Sequence, residues 1–223
     1  MTFMKAVVKE AVTAKAVTIK TATLSLSLAG MMASSMAFAA PSEAPSDFVK
    51  RISDKLIVEL KQNKANLNNN TVINKIVAQN IEPHVDVQGF SRLVMGQYYS
   101  NQYSTAEQRG RFTKNFRDSV IKTYAKGLAQ YNNEGYTLRP YRNTGAKYPI
   151  VTMDFKANNG NKIPVSFQLI DKNNQWKIRN INVSGIDMAL TFRDQFKANV
   201  QQSGGNIDKA IASFKPDAEA GSK

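Results

Sequence analysis

The chain has 223 residues, 42% of them hydrophobic, and its 30 lysines and arginines against 17 acidic residues give a formal net charge of +13. That length allows one ordinary domain, or two small ones, with a real core, and 9% aromatic residues argue against a disordered polybasic chain. With no cysteine and a single histidine, the sequence excludes a disulfide framework, a thiolate zinc or iron–sulfur site, a cysteine nucleophile and a His-rich metal centre.

The first forty residues read as a targeting segment. Lys5, Lys9, Lys15 and Lys20 against Glu10 make a basic leader, and an uncharged stretch over residues 21–40 follows. It ends in Ala37-Phe38-Ala39, a small-x-small pattern that a signal peptidase accepts. The cut is placed between Ala39 and Ala40, with the Ala40–Pro41 bond as the alternative site. An uncleaved membrane anchor is the competing reading, since the stretch is about long enough to span a bilayer. Cleavage removes four lysines and one glutamate and leaves 184 residues at a net charge of +10. The expected product is exported and basic, as a bacterial periplasm permits for a protein without disulfides.

Helices are expected next. Ser46-Asp47 reads as a cap, and Phe48, Ile52, Leu56 and Leu60 recur every four residues behind it, with Val49 and Ile57 widening the stripe. A second helix carries Val72, Ile73, Ile76, Val77 and Ile81 and stops before Pro83. Residues 90–99 are an apolar segment containing Gly96. Ser104 and Glu107 have the spacing of a capping box and open a long helix with Phe112, Phe116, Val120, Tyr124 and Leu128 on one stripe.

After Asn132-Asn133 the period changes to two. Tyr136 and Leu138 before Pro140 suit an edge strand, and Val151, Met153 and Phe155 form a second strand. Asn158-Asn159-Gly160 signals a hairpin into Val165, Phe167 and Leu169, and residues 171–174 make another turn. In the last strand Trp176 and Ile178 lie on the opposite parity from Ile181 and Val183. A bulge near Arg179-Asn180 would return all four to one face; the alternative is a strand that ends early. Asp187 is placed as the cap of a closing helix through Leu190, Phe192, Phe196 and Val200, with a short helix over residues 207–214 and a flexible tail over 215–223. Helices followed by an antiparallel meander indicate an α+β fold in a single domain spanning residues 40–214, with a twisted four-stranded sheet whose apolar face is covered by helices.

No catalytic residue is expected. His84, in Glu82-Pro83-His84-Val85-Asp86, reads as part of a proline turn; Asp54, Asp118 and Asp154 lie on polar sides of their elements. No phosphate loop, nucleophile elbow or carboxylate calcium loop is present. The positive charge is spread along every element without an aromatic–basic module, so nucleic acid is not the expected partner; an anionic membrane or an acidic partner suits such a surface better. The large apolar residues converge between sheet and helices; pattern alone favours a packed core, although a ligand cavity would look identical in one dimension.

Two stretches resemble a known family. One is Ser91-Arg92-Leu93-Val94-Met95-Gly96-Gln97-Tyr98-Tyr99 with the helix after Arg109; the other joins Trp176-Lys177-Ile178, Val183-Ser184-Gly185-Ile186-Asp187 and Phe192-Arg193-Asp194-Gln195-Phe196. Pro83-His84-Val85-Asp86 matches the family's Pro-x-x-Asp element. These stretches resemble the MlaC-type periplasmic phospholipid carriers, also called toluene-tolerance auxiliary proteins. Met95 stands where Leu is expected, Tyr99 where Trp is frequent, and Asp187 where Ser usually caps. The resemblance implies an NTF2-like fold enclosing a lipid-tail cavity, with a phospholipid as cargo, no catalytic residue and no other cofactor. It implies a monomer that exchanges lipid with an inner-membrane ABC transporter complex and an outer-membrane lipoprotein–porin complex, maintaining outer-membrane asymmetry. On that reading Phe112, Phe116, Val120 and Tyr124 from the helix and Met153, Phe155, Val165, Phe167 and Trp176 from the sheet line the cavity. An NTF2-like small-molecule enzyme and a solid-cored adaptor domain are the alternatives.

Overall fold

The computed structural model describes residues 41–129, 135–142, 145–156 and 160–217. The expected signal peptide, residues 1–39, lies outside the described residues. The first helix, α1 (Pro45–Gln62), starts one residue before the Ser46-Asp47 cap read from the sequence. Pro45 occupies the first turn, where its missing N–H costs nothing and its fixed φ favours the helix. Ala44 is the cap residue and contributes no side-chain bond. Phe48, Val49, Ile52 and Leu60 are buried along the expected stripe.

Helix α2 (Asn70–Asn80) is capped by Asn69, whose side chain accepts from the Thr71 amide at 2.9 Å. A 3-10 turn, Glu82–His84, carries the chain into α3 (Val87–Met95). A nine-residue helix has too few turns to show an apolar stripe, so periodicity does not reveal it. Its signal is local: Asp86 of the Pro-x-x-Asp element accepts from the Gly89 amide at 3.0 Å. Gly96 ends α3 at φ +54°, with the Arg193 side chain 3.0 Å from where a Cβ would stand.

The capping box of α4 (Ala106–Ala129) sits one residue later than Ser104/Glu107. Thr105 Oγ1 accepts from the Gln108 amide at 3.1 Å, and Gln108 Oε1 accepts from the Thr105 amide at 2.8 Å. Ser104 is buried instead and donates to the Tyr98 carbonyl at 2.6 Å.

The sheet is an antiparallel meander of β1 (Tyr136–Leu138), β2 (Ile150–Lys156), β3 (Lys162–Asp171), β4 (Trp176–Val183) and β5 (Ile186–Asp187), in that spatial order. The four expected strands are joined by a two-residue fifth, made when the Ser184-Gly185 turn folds Ile186 back onto Val183. Asn158 and Asn159 lie outside the described residues, but β2 and β3 pair out to Lys156 and Lys162. Asn173 and Asn174 both have positive φ in the β3–β4 turn, the conformation a two-residue hairpin favours. The bulge in β4 is present: Gln168 faces Asn180 and Leu169 faces Ile178, leaving Arg179 as the extra residue.

Asp187 caps α5 (Met188–Gln202), and Asn206 caps α6 (Ile207–Ser213). Of the segment expected to be a loose tail, the described part is docked: Pro216 is buried, and Gln195 Oε1 accepts from the Asp217 amide at 2.9 Å. The apolar groups form three clusters. Phe90, Phe112, Phe116, Phe192, Phe196 and Phe214 dominate one among α3, α4, α5 and α6. Phe48, Val49 and Ile52 of α1 meet Val151, Met153, Leu169 and Ile178 of the sheet in the second. Leu60, Leu67, Ile73, Ile76, Val77 and Ala125 form the third.

Candidate functional site

The helices do not fill the apolar face of the sheet evenly. Past α1, the sheet residues Ile163, Ile181, Val183 and Ile186 look across an apolar cavity of about 620 Å³. The opposite wall is the second half of α4, through Phe116, Val120, Tyr124 and Leu128. Val77 of α2, Ile81 at its C-terminal cap, Val85, Phe90 of α3 and Phe192 of α5 close the sides. Such a volume falls within the roughly 300–1,000 Å³ of small-ligand sites, which are apolar with few polar groups.

The α4 stripe explains where the cavity begins. Its first half is occupied: Phe112 stacks on Phe116 at 5.7 Å and meets the Phe196 ring at 4.7 Å and Phe214 at 5.8 Å. Helix α5 supplies Phe196 and the residue following α6 is Phe214, so Phe112 is 1% exposed in solid core. Phe116 lies at the boundary, and Val120 and Tyr124 face open space. The packed core that the pattern favoured and the cavity that would look identical in one dimension therefore occur on one helix.

Of the nine residues read as cavity-lining, Phe116, Val120 and Tyr124 stand on its wall, and Phe112, Met153, Phe155, Val165, Phe167 and Trp176 do not. Parity was not the obstacle, since the five sheet residues share a face with Ile181 and Val183. What intervenes is α1. It covers the centre of that face, with Met153 fully buried at 0% exposure and Ser53 Oγ 3.4 Å from its sulfur. Phe155, Phe167 and Trp176 pack against the same α1 cluster, and the Trp176 indole donates to the Glu43 carbonyl at 2.8 Å. Val165 stands in register between Met153 and Val183.

The other wall residues come from α2, α3, α5, the strands β3, β4 and β5, and the links between elements. Val77, Ile81, Ile181 and Val183 were legible as apolar positions, but nothing in one dimension joins them to α4. Ile186 and Val85 carried no periodic signal at all.

Among the described residues, the charged groups on the wall are Arg117 and Glu82, paired from Nη1 to Oε1 at 3.2 Å. Arg117 also donates from Nε and Nη2 to Asp118 Oδ1 at 2.9 and 2.7 Å, and Lys114 donates to Asp118 Oδ2 at 2.9 Å. Partial burial would raise the Asp118 pKa, but these hydrogen bonds from Lys114 and Arg117 outweigh it and hold the carboxyl below its ordinary value. His84 lies off the wall, edge-on to Phe48 at 5.7 Å. Burial, then the charges of Arg51, Lys177 and Lys55, press its pKa below the ordinary value. Asp54 is held low by Lys50 and Tyr136, and Asp154 by Arg139, each away from the cavity. Among the described residues no group of three His, Asp or Glu side chains converges as a metal site, and no helix is long and apolar enough to cross a membrane. The arrangement offers an apolar volume with one ion pair on its wall.

Comparison with known proteins agrees with that geometry. The family model described as MlaC protein matches residues 50–215. The chain is 33% identical over 186 residues to a toluene tolerance protein, ttg2D, of Pseudomonas putida, covering 81% of this chain and 84% of that one. It is 24% identical over 170 residues to the intermembrane phospholipid transport system binding protein MlaC of Haemophilus influenzae, covering 74% and 78%. A solved phospholipid-binding protein from Ralstonia solanacearum, in complex with a phospholipid, superposes with a TM-score of 0.67 at 25% identity, covering 74% of this chain and 90% of that one. The α+β fold, its apolar cavity and a family match running from α1 to just past α6 place the chain in the MlaC family.

Proposed function

We propose that the chain is a periplasmic phospholipid carrier, in which the apolar cavity takes up the lipid tails. The observation that carries this reading is a roughly 620 Å³ cavity walled by aliphatic and aromatic side chains in a member of this family. The solved relative from Ralstonia holds a phospholipid, and the Haemophilus relative is a binding protein of an intermembrane phospholipid transport system.

The physics demands such a cavity. A two-chain phospholipid carries about 30 CH₂ groups, each worth about 0.8 kcal/mol on leaving an apolar phase for water. Bare passage through water would cost on the order of 20 kcal/mol. A carrier lowers that cost by replacing bilayer with protein apolar surface. The tails lie against Phe116, Val120, Tyr124, Ile181 and Val183. Phe112, Met153, Phe155, Val165, Phe167 and Trp176 support that wall through the flanking cores. The basic leader and its small-x-small end direct the chain to export, with removal at Ala39–Ala40. As a monomer it exchanges lipid with an inner-membrane ABC transporter complex and an outer-membrane lipoprotein–porin complex, maintaining outer-membrane lipid asymmetry.

Native mass spectrometry of the exported protein, purified without detergent, tests the reading. A stoichiometric phospholipid adduct is the expected result. A bare mass that stays bare after incubation with phospholipid vesicles would overturn it.

A further inference from the structure

Among the described residues, Arg117 and Glu82 are the charged groups on a largely apolar wall, and the pair calls for a role. Arg117 is gripped along one edge by Asp118, at 2.9 and 2.7 Å, so its position is fixed without Glu82. Its remaining nitrogen, Nη1, reaches Glu82 Oε1 at the longer distance of 3.2 Å. The side chains are 37% and 30% exposed, and a solvated pair of that kind contributes at most about 1 kcal/mol. It is therefore the weakest link in the cluster and the one most readily exchanged for a ligand.

Resting on the carrier reading, we propose that Arg117 and Glu82 form a headgroup subsite that favours zwitterionic lipids bearing a primary ammonium over anionic lipids. A phosphate oxygen accepts from Arg117 Nη1, a charge-assisted hydrogen bond that replaces the one to Glu82. The ammonium of the same headgroup donates to Glu82. The lipid thus inserts its own dipole between two charges that pair with each other in its absence.

An anionic headgroup lacks the second partner. Its phosphate at Arg117 stands close to the uncompensated Glu82 carboxylate, with Asp118 behind. Arg117, Lys114, Glu82 and Asp118 sum to zero charge, so the site exerts no net pull on an anion. This runs against the net charge of +10 left once the leader is removed, which by itself would favour anionic lipid.

The test loads delipidated protein from vesicles of equimolar phosphatidylethanolamine and phosphatidylglycerol, then measures the bound ratio by mass spectrometry. Wild type should take up phosphatidylethanolamine with roughly two- to fivefold enrichment, the span of an exposed ion pair. Glu82→Gln keeps an oxygen for Arg117 but removes the charge, and should bring the ratio to that of the vesicles or below. Arg117→Gln should reduce retention of both lipids. Wild type loading at the vesicle ratio, or enrichment that survives Glu82→Gln, overturns the subsite while leaving the carrier standing. No lipid in wild type from any vesicle overturns the carrier reading and the subsite with it.

Discussion

Asn180 Nδ2 donates to the Asp187 carboxylate at 2.9 Å, linking the β4 bulge to the cap of α5. Both residues are used further. Asn180 Oδ1 accepts from the Ala189 amide at 3.1 Å, and Asp187 Oδ1 accepts from the Leu190 amide at 2.9 Å. The bulge that turns Ile181 and Val183 into the cavity and the helix that brings Phe192 to it are thus fixed by one small network.

Breaking that network should be costly because Asn180 is 8% exposed. Asn180→Ala leaves the Ala189 amide short of a partner, and is expected to lower unfolding free energy by about 2–3 kcal/mol. Asp187→Ala, losing a cap, should cost about 1 kcal/mol. A double-mutant cycle by chemical denaturation should show positive coupling between the two; strictly additive losses would mean that they act separately.

Val120 and Phe167 separate cavity from core. Val120→Glu puts a charge on the cavity wall and is expected to abolish lipid co-purification while the protein stays folded. Phe167 packs against the α1 cluster, so Phe167→Glu should act chiefly by destabilising the fold. Lipid content per folded protein, measured alongside melting temperature, distinguishes them. A folded Val120→Glu variant with full lipid content would refute the assignment of that wall.

The aromatic cluster should be independent of cargo. Phe196 is fully buried and meets Phe112 at 4.7 Å and Phe214 at 5.2 Å. Phe196→Ala is expected to cost about 3–5 kcal/mol. Lipid bound per folded molecule should be unchanged, since Phe196 lies off the cavity wall.

Acid should weaken the fold partly through His84. Burial first, then Arg51, Lys177 and Lys55, lower its folded pKa below 6.5, with Glu43 opposing them. The unfolded chain therefore binds the proton more readily. The contribution of neutral His84 is complete above about pH 6.5, is lost as pH falls toward the folded value, and levels off below it. Melting temperature should drop as pH is lowered through about 6.5, and His84→Gln should flatten that part of the profile. Parallel profiles for the two proteins would assign the acid sensitivity to the carboxylates alone.

Local chemistry made much of this protein legible. The spacing of Phe112, Phe116, Val120 and Tyr124 is enough to specify an amphipathic helix, and Asn173-Asn174 a tight turn, because both depend on residues near in sequence. The β4 bulge was readable as well, since Ile181 and Val183 have to leave the alternation of Trp176 to reach a common face. Cap positions shifted by a residue where neighbours competed: Thr105 with Gln108 took the box that Ser104 and Glu107 also fitted, and Pro45 started α1 ahead of Ser46. The family resemblance rested on the same local elements, including the Asp86 cap and Gly96. Which apolar face is filled and which is left open was decided only in three dimensions. Met153 and Val183 are both apolar and share a parity, yet α1 lies directly over one and the cavity lies over the other. A stripe records that a residue is turned away from water. It carries no record of what stands opposite, and a cavity is defined by that alone.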